Sequence, residues 1–275
     1  YMPNGIAFKD GDLYVAEIHR LLKFKDIESN IDNANFTVIS KDFPTDQHHG
    51  WRYIAFGPDE KLYIPIGSPC NYCDEPDYGL IISVDKYGKN KQIMARGIRN
   101  TVGITFHPQT NELWFTDNGR DMLGDDIPPG ELNKVSFSGQ HFGFPFCHGK
   151  SIKDPILGDL GSCSQSTPPT QELDAHVAPL GLKFYTGSQF PNEYKNQIFI
   201  PEHGSWNRTK KSGYRITLVK LKDNHPISYE TFAEGWLKDE KTLGRPVDLI
   251  IAKDGSMLVS DDHNGVIYKI TYNSN

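Results

Sequence analysis

Residues 102–117 read VGITFHPQTNELWFTD, and this pattern decides the fold class. Two short apolar runs flank a turn that contains Pro and Asn, which predicts a β-hairpin. Similar patterns occur at residues 4–17, 53–65, 180–202 and 247–262. Phe8, Phe56 and Phe106 hold matching positions in three copies and lie 48 and then 50 residues apart. This spacing is typical of a four-stranded propeller blade.

Because propellers close radially, the five copies predict an all-β, six-bladed β-propeller in which part or all of an N-terminal blade is missing. We expect four-stranded antiparallel blades and treat residues 1–275 as one domain, since all-β folds of this length often form a single unit. Residues 118–178 have no such repeat, and we expect them to form loops on one face. Loops on a rigid scaffold often carry the functional site.

The composition excludes several classes of function. The chain carries 29 basic and 35 acidic residues, a net charge of -6, without the run of Lys and Arg expected of a protein that binds nucleic acid or anionic membranes. No apolar stretch approaches the roughly 18 residues of a spanning helix. Dinucleotide, Walker, zinc-protease and hydrolase-elbow motifs are also absent. We therefore expect a small-molecule or protein partner.

Four cysteines fall into two close groups. Cys70 lies near Cys73, and Cys147 lies near Cys163. An even number in a loop-rich chain favours two local disulfides and an exported protein, periplasmic or secreted. Half of a zinc site and unpaired thiols are the alternatives.

Two polar clusters come immediately before repeat copies. Residues 46–52 read DQHHGWR, and a loop histidine with a pKa near neutrality can take a proton from a hydroxyl group. Adjacent loop histidines can equally be surface residues. Residues 96–100 read RGIRN, where arginine suits anionic oxygens but is also common at exposed positions.

Three further clusters follow strands or precede them. Residues 116–126 read TDNGRDMLGDD, which can fold around Ca²⁺ or remain a solvated acidic loop. Residues 201–208 read PEHGSWNR and residues 244–248 read GRPVD. Their Trp offers a stacking plane and their arginines add positive charge. All five clusters lie at corresponding boundaries of the repeat, so a propeller would gather them at one end of its axis.

Taken together, these clusters resemble the soluble PQQ-dependent glucose/sorbosone dehydrogenase family, especially its sorbosone and pyranose dehydrogenase branch. The GFPFCHG stretch at residues 143–149 adds to the resemblance, which runs through nearly the whole chain. The family oxidises sugars with pyrroloquinoline quinone (PQQ) and calcium. The resemblance implies a sugar-like alcohol or aldehyde as substrate.

The resemblance also implies roles for particular residues. His49 matches the catalytic base, and Arg99 would assist as a cation beside the quinone. The implied PQQ contacts are Arg99, Asn100, His203, Trp206, Arg208 and Arg245. The implied calcium ligands are the backbone carbonyls of Gly119 and Arg120 and the carboxylates of Asp117, Asp125, Asp126 and Glu131. Hydride would pass to the quinone, and a quinone or cytochrome would then accept the electrons.

Two other functions fit the same pattern. A propeller with axial calcium can hydrolyse a lactone through metal-bound water and would not need PQQ. A propeller can also bind a sugar without catalysis, because fold alone does not determine function.

Overall fold

The computed structural model describes residues 2–273, which form five successive β-sheets that we call blades 1 to 5. Blade 1 contains β1 (Gly5–Lys9), β2 (Asp12–Ala16), β3 (Leu21–Phe24) and β4 (Phe36–Ser40). Blade 2 contains β5 (Ala55–Phe56), β6 (Leu62–Ile66), β7 (Leu80–Val84) and β8 (Gln92–Arg96). Blade 3 begins with β9 (Gly103–Phe106), β10 (Leu113–Asp117) and β11 (Pro129–Val135).

The chain then makes two detours before it completes blade 3. β12 (Gln140–His141) joins blade 2 parallel to β8. β13 (Cys147–His148) and β14 (Ile152–Lys153) form a separate hairpin. β15 (Gln171–Ala175) is the fourth strand of blade 3.

The last two blades follow in chain order. Blade 4 contains β16 (Lys183–Phe184), β17 (Ile198–Glu202), β18 (Arg215–Lys222) and β19 (His225–Ala233). A two-stranded hairpin of β20 (Leu237–Lys238) and β21 (Lys241–Thr242) leads to blade 5. Blade 5 contains β22 (Pro246–Ile251), β23 (Met257–Asp261) and β24 (Val266–Ile270).

In the part of the chain that the structure describes, helical structure is limited to short segments. The 3-10 helices are Ile27–Ser29, Ile31–Asn33, Gly158–Leu160, Cys163–Gln165 and Asn192–Tyr194. Within residues 2–273, we find no helix with the length and apolar character needed to cross a membrane.

The β-propeller prediction is confirmed, and residues 2–273 form five blades rather than six. Each repeat copy forms the two inner strands of one blade, and the five copies give five blades. The sixth blade was inferred from radial closure rather than from a sixth copy. Blade 5 has three strands and blade 2 gains a parallel fifth, so the four-stranded pattern holds for blades 1, 3 and 4.

The segment from residue 118 to 178 also differs from its prediction. It contains two strands of blade 3, which lie beside the predicted hairpin, as well as β12 and the β13–β14 hairpin. These strands were missed because β12, β13 and β14 have two residues each and the two strands of blade 3, PGELNKV and QELDA, are largely polar. Residues 118–128 and 154–170 remain outside the strands.

Both predicted disulfides are present. Cys70 pairs with Cys73 in the loop between β6 and β7, and Cys147 pairs with Cys163, which ties β13 to a 3-10 helix. This pairing confirms the disulfide prediction over the zinc and free-thiol alternatives.

The core of the described residues consists of four apolar clusters, each between neighbouring blades. Strand alternation explains this arrangement, because successive side chains point to opposite faces and so can pack against both neighbours. Blades 1 and 5 each contribute to one cluster, and none among residues 2–273 joins them. Ile6 on β1 and Ile267 on β24 are accordingly exposed.

Inner strands approach closely near the axis. A Cβ atom at Gly103, the first residue of β9, would collide with the backbone carbonyl of Leu180. Glycine is therefore required where blades 3 and 4 converge.

Blade connectivity explains why the polar clusters share one end of the propeller. In an antiparallel blade, the loop after the second strand and the loop that enters the next blade lie at the same end. His49 and Arg99 lie in loops that enter blades 2 and 3, whereas residues 118–128 and 203–214 follow second strands. The repeat register therefore places all these loops around one face.

Candidate active site

A cavity opens among these loops, between blades 2, 3 and 4. Five of the residues predicted for the site line it: His49, Arg99, Asn100, Gly119 and Trp206. Four polar residues without a predicted role also line it: Asn118, Asp121, His176 and Asn207. The cavity therefore brings together the predicted base, a cation and several amide groups.

His49 is held in one orientation by the backbone. Its Nδ1 lies 2.8 Å from the carbonyl oxygen of Ser68, and because a carbonyl can only accept, Nδ1–H is the donor. Nε2 then carries the lone pair. A Cβ at Gly67 would lie 2.6 Å from the His49 Cβ, so this close packing requires glycine.

The surroundings of His49 favour its neutral form. Burial, the Arg99 cation and His48 together lower the pKa of His49 to about 3, against the smaller effect of the Ser68 carbonyl. His49 is therefore an uncharged imidazole at neutral pH. Its orientation leaves Nε2 to accept a proton, but a pKa of about 3 makes His49 a weaker base than the near-neutral histidine expected from the sequence.

Arg99 is almost completely buried, with 3% of its surface exposed. Its Nη2 donates to Asp121 Oδ2 at 2.8 Å and to Asn71 Oδ1 at 2.9 Å. Its Nε donates to the Asn71 carbonyl at 3.1 Å, and Nη1 to the Asn118 carbonyl at 3.3 Å. The guanidinium is therefore fixed in place before any ligand arrives.

Asp117 fixes the backbone of the loop that contains Arg99. Its Oδ2 accepts from Arg99 N at 2.9 Å and its Oδ1 accepts from Asn100 N at 2.6 Å. Glu131 faces Asp117 across the β10–β11 pair and accepts from Gly149 N at 2.8 Å. Burial raises the pKa of both carboxyl groups, and Asp117 adds to the effect on Glu131.

The four predicted carboxylate ligands of calcium do not come together. Asp117 and Glu131 are buried and bonded as described, whereas the other two lie on a loop. Asp125 accepts from Thr209 N at 3.0 Å, and Asp126 pairs with Arg208 at 3.0 Å. Across residues 2–273, we find no group of three or more His, Cys, Asp or Glu side chains that could hold a metal ion. Each carboxylate is instead used to hold loops.

The two predicted backbone ligands have different surroundings. Gly119 lines the cavity. The side chain of Arg120 is buried, contacts Asp154 and lies 4.0 Å from the ring centre of Tyr72. Only Gly119 therefore belongs to the cavity wall.

Three residues predicted to contact PQQ lie outside the cavity lining. His203 bonds to Asp262 at 2.8 Å through Nε2. Arg245 donates to the carbonyls of His203 at 3.1 Å and Gly204 at 2.7 Å. Arg208 pairs with Asp126 as above and also donates to the Ala175 carbonyl. These side chains stabilise loops of blades 4 and 5.

Sequence reasoning missed Asn71, Asp121 and Asn207 as site residues. Asn207 donates to Asp121 Oδ1 at 3.0 Å, while its own Oδ1 is buried and has no hydrogen-bond partner among residues 2–273. All three lie inside stretches that the sequence had marked for other reasons. Their role depends on contacts between distant loops, which one sequence does not reveal.

A second cavity lies beside the Cys70–Cys73 loop. It is lined in part by Glu75, Arg96, His141 and Phe144. It contains none of the residues predicted for catalysis, cofactor or metal binding. The cavity around His49 is therefore the candidate active site.

Comparison with known proteins supports the resemblance. The sequence model of the TrAA12-like family matches residues 157–273 of this chain. An uncharacterized protein of Borreliella burgdorferi is 39% identical over 290 residues, covering 98% of this chain and 76% of that protein. Its own function is not assigned.

Two enzymes share the fold. A Trichoderma reesei carbohydrate-active enzyme of family AA12 superposes with a TM-score of 0.79 and 21% identity, over 96% of this chain and 79% of that one. The holo PQQ domain of Coprinopsis cinerea pyranose dehydrogenase has a TM-score of 0.79 and 17% identity, over 98% and 81%. The full-length PQQ-dependent pyranose dehydrogenase of Coprinopsis cinerea is 25% identical over 242 residues. These cover 68% of this chain and 32% of that enzyme. The predicted resemblance is confirmed.

Proposed function

The chain belongs to the same family as the Borreliella burgdorferi protein, with the fold of the PQQ-dependent sugar dehydrogenases, and we propose that it oxidises a sugar or sugar-derived alcohol or aldehyde with PQQ and Ca²⁺. The observation that carries this proposal is the position of His49. Its Nε2 lone pair is available in a cavity whose wall also contains the fixed Arg99 cation. A base beside a cation suits removal of a hydroxyl proton as negative charge develops.

The cavity fits an anionic, planar cofactor. Arg99 supplies positive potential, Asn100 supplies an amide that can donate and accept, and the exposed Trp206 ring supplies a stacking surface. PQQ carries three carboxylates, so a buried arginine complements its charge. Arg99, Asn100 and Trp206 are therefore the residues that would hold it.

Calcium would bind at the oxygen-rich part of the same wall. The backbone carbonyl of Gly119 and the unpartnered Oδ1 of Asn207 are hard oxygen donors of the kind that Ca²⁺ prefers. This donor set has fewer carboxylates than the sequence predicted. The cofactor itself would have to supply further oxygens.

The residues of the chain would act as follows. Ser68 holds Nδ1–H of His49, so that Nε2 accepts the proton of the substrate hydroxyl. Arg99 stabilises the negative charge that develops as the proton leaves. When bound, PQQ and Ca²⁺ would supply a polarised two-electron acceptor for the hydride of the substrate carbon. A quinone or a cytochrome would take the electrons onward.

The two disulfides support the further proposal that the protein works in an oxidising compartment, in the periplasm or outside the cell.

Dye-linked oxidation of a panel of aldoses and ketoses tests the function. We expect activity only after both PQQ and Ca²⁺ are added, together with a change in PQQ absorbance on mixing. Hydrolysis of lactones with Ca²⁺ alone would instead indicate a lactonase. Sugar binding without turnover would indicate a binding protein, and either result would overturn the proposal.

A further inference from the structure

The loop between β6 and β7 lies directly behind the cavity. We call residues 70–73 the CNYC loop, after its sequence, and the Cys70–Cys73 disulfide closes it. Asn71 in this loop contacts Arg99, the proposed cation, and the neighbouring Ser68 contacts His49, the proposed base. No catalytic or binding role was predicted for this loop beyond its disulfide.

Asn71, inside the disulfide loop, binds two residues of the cavity wall. Its backbone carbonyl accepts from Arg99 Nε, and its Oδ1 accepts from Arg99 Nη2. The same Oδ1 accepts from Asp121 N at 2.9 Å, while Nδ2 donates to the Asp121 carbonyl at 3.1 Å. One short side chain therefore sets the position of Arg99 relative to Asp121.

Ser68 links the same loop to the proposed base. Its carbonyl accepts from His49 Nδ1, and its own backbone N donates to the Arg99 carbonyl at 2.8 Å. Its Oγ lies 3.7 Å from the sulfur of Cys70 and 3.5 Å from that of Cys73. The disulfide thus packs against the residue that fixes the His49 tautomer.

We propose that the CNYC loop is the positioning element of the site: Asn71 fixes Arg99, and the closed Cys70–Cys73 disulfide keeps the Ser68 carbonyl on His49. The kinetic part of this inference rests on the proposed function, but the structural part does not. Neither Asn71 nor the disulfide touches the reacting atoms. A closed loop of four residues has few conformations, so the disulfide restrains Asn71 inside it, while the two sulfurs pack against the side chain of Ser68 just outside it.

The loop is also open to redox control. Cys70 and Cys73 are partly exposed, so a dithiol in solution can reach the disulfide. Reduction breaks the S–S bond, forms two thiols, and converts the dithiol to its own disulfide. The loop then gains freedom, and the Ser68 carbonyl loses its fixed position.

The first test measures the His49 tautomer by ¹⁵N NMR in the chain without PQQ, with His49→Gln used to assign the signals. In the Cys147→Ser/Cys163→Ser background only Cys70–Cys73 can be reduced by dithiothreitol. We expect the oxidised protein to show the single Nδ1–H tautomer and the reduced protein to show a mixture. A single unchanged tautomer after reduction, with both forms folded by circular dichroism, would overturn the proposal.

The second test compares two substitutions at Asn71. Asn71→Asp keeps the oxygen that accepts from Arg99, whereas Asn71→Leu has a similar size and no polar atom. We expect Leu to lower kcat by about 10–100-fold, as for other residues that orient catalytic groups, with KM little changed. Asp should retain more of the wild-type kcat. Equal losses in both variants would contradict the role of Asn71.

The two experiments separate this inference from the proposed function. If the wild-type chain binds no PQQ and oxidises no sugar, the proposed function fails, yet the tautomer measurement still decides whether the disulfide positions His49. If the chain is active but the His49 tautomer is the same before and after reduction of the disulfide, the positioning role is contradicted and the proposed function is not.

Discussion

The two halves of the predicted site differ, although the sequence presents them in the same way. In both, charged and aromatic residues stand where a strand begins or ends. In the loops of blades 2 and 3, His49 and Arg99 line the cavity. In the loops of blades 4 and 5, His203 and Arg245 lie outside its lining and bond to an acid and to backbone carbonyls.

The difference shows what a repeat register can determine. It places a loop at one end of the propeller, but the partners of each side chain determine whether that side chain faces the cavity. Arg99 has acceptors on the cavity wall, in Asn118 and Asp121, and another directly behind the wall, in Asn71. The acceptors of Arg245 belong to a neighbouring loop. We therefore expect catalysis to depend on His49 and Arg99, and stability on His203 and Arg245.

The largest effect is expected for His49→Ala. Loss of the proton acceptor should lower kcat by about 10²–10⁴-fold, the usual contribution of a general base. His48→Ala is a matched control, because His48 is the adjacent histidine and its ring centre lies only 3.9 Å away. Steady-state rates with PQQ and Ca²⁺ measure both. Similar losses in the two variants would show that the base is not His49.

Arg99→Met should have the next largest effect. The change removes the buried cation and its hydrogen bonds to Asp121 Oδ2 and to the Asn71 carbonyl, whereas Asn207 still donates to Asp121 Oδ1. We expect kcat/KM to fall by about 10²–10³-fold, as when one electrostatic donor is lost from an active site. Arg96→Met is the control, since Arg96 belongs to the same RGIRN motif but lines the other cavity. If kcat/KM falls equally in both variants, the loss comes from removal of a positive charge and not from the position of Arg99 in the cavity.

The pKa of His49 should also depend on its neighbour in the cavity, Arg99. Burial and Arg99 hold the pKa of His49 at about 3, so the base is neutral and available above that pH and is lost as the pH falls through it. In Arg99→Met one cause is removed, and the pKa should rise toward the ordinary value of about 6.5. NMR titration of His49 in both chains without PQQ measures the shift. An unchanged pKa would mean that Arg99 does not act on His49.

Much of this arrangement could be predicted from the sequence. The repeat of VGITFHPQTNELWFTD and its copies indicated the propeller, and the family resemblance carried by the RGIRN and DQHHGWR motifs indicated Arg99 and His49. Close cysteines indicated both disulfides. These features depend on local pattern and short spacing, which a single sequence carries.

The rest depends on contacts between distant segments. Asn71 and Asp121 are 50 residues apart, and Asn207 and Asp121 are 86 apart, so no local pattern marks their hydrogen bonds. The contacts of the acidic loop at residues 116–126 also could not be predicted from its sequence. Its composition suggested a cluster of metal ligands, but Asp125 and Asp126 bond instead to the loop at Thr209 and Arg208.

The smallest effect on catalysis is expected for Arg245→Met, the counterpart of Arg99→Met in the second half. Loss of its bonds to the His203 and Gly204 carbonyls should lower the free energy of unfolding by about 1–3 kcal/mol. The rate should change by about threefold or less, as expected when no group facing the ligand is removed. Denaturant unfolding and kcat/KM measure the two effects. A loss of rate comparable to that of Arg99→Met would place Arg245 on the cofactor, as the family resemblance implied, because a residue that only stabilises a loop changes stability more than turnover.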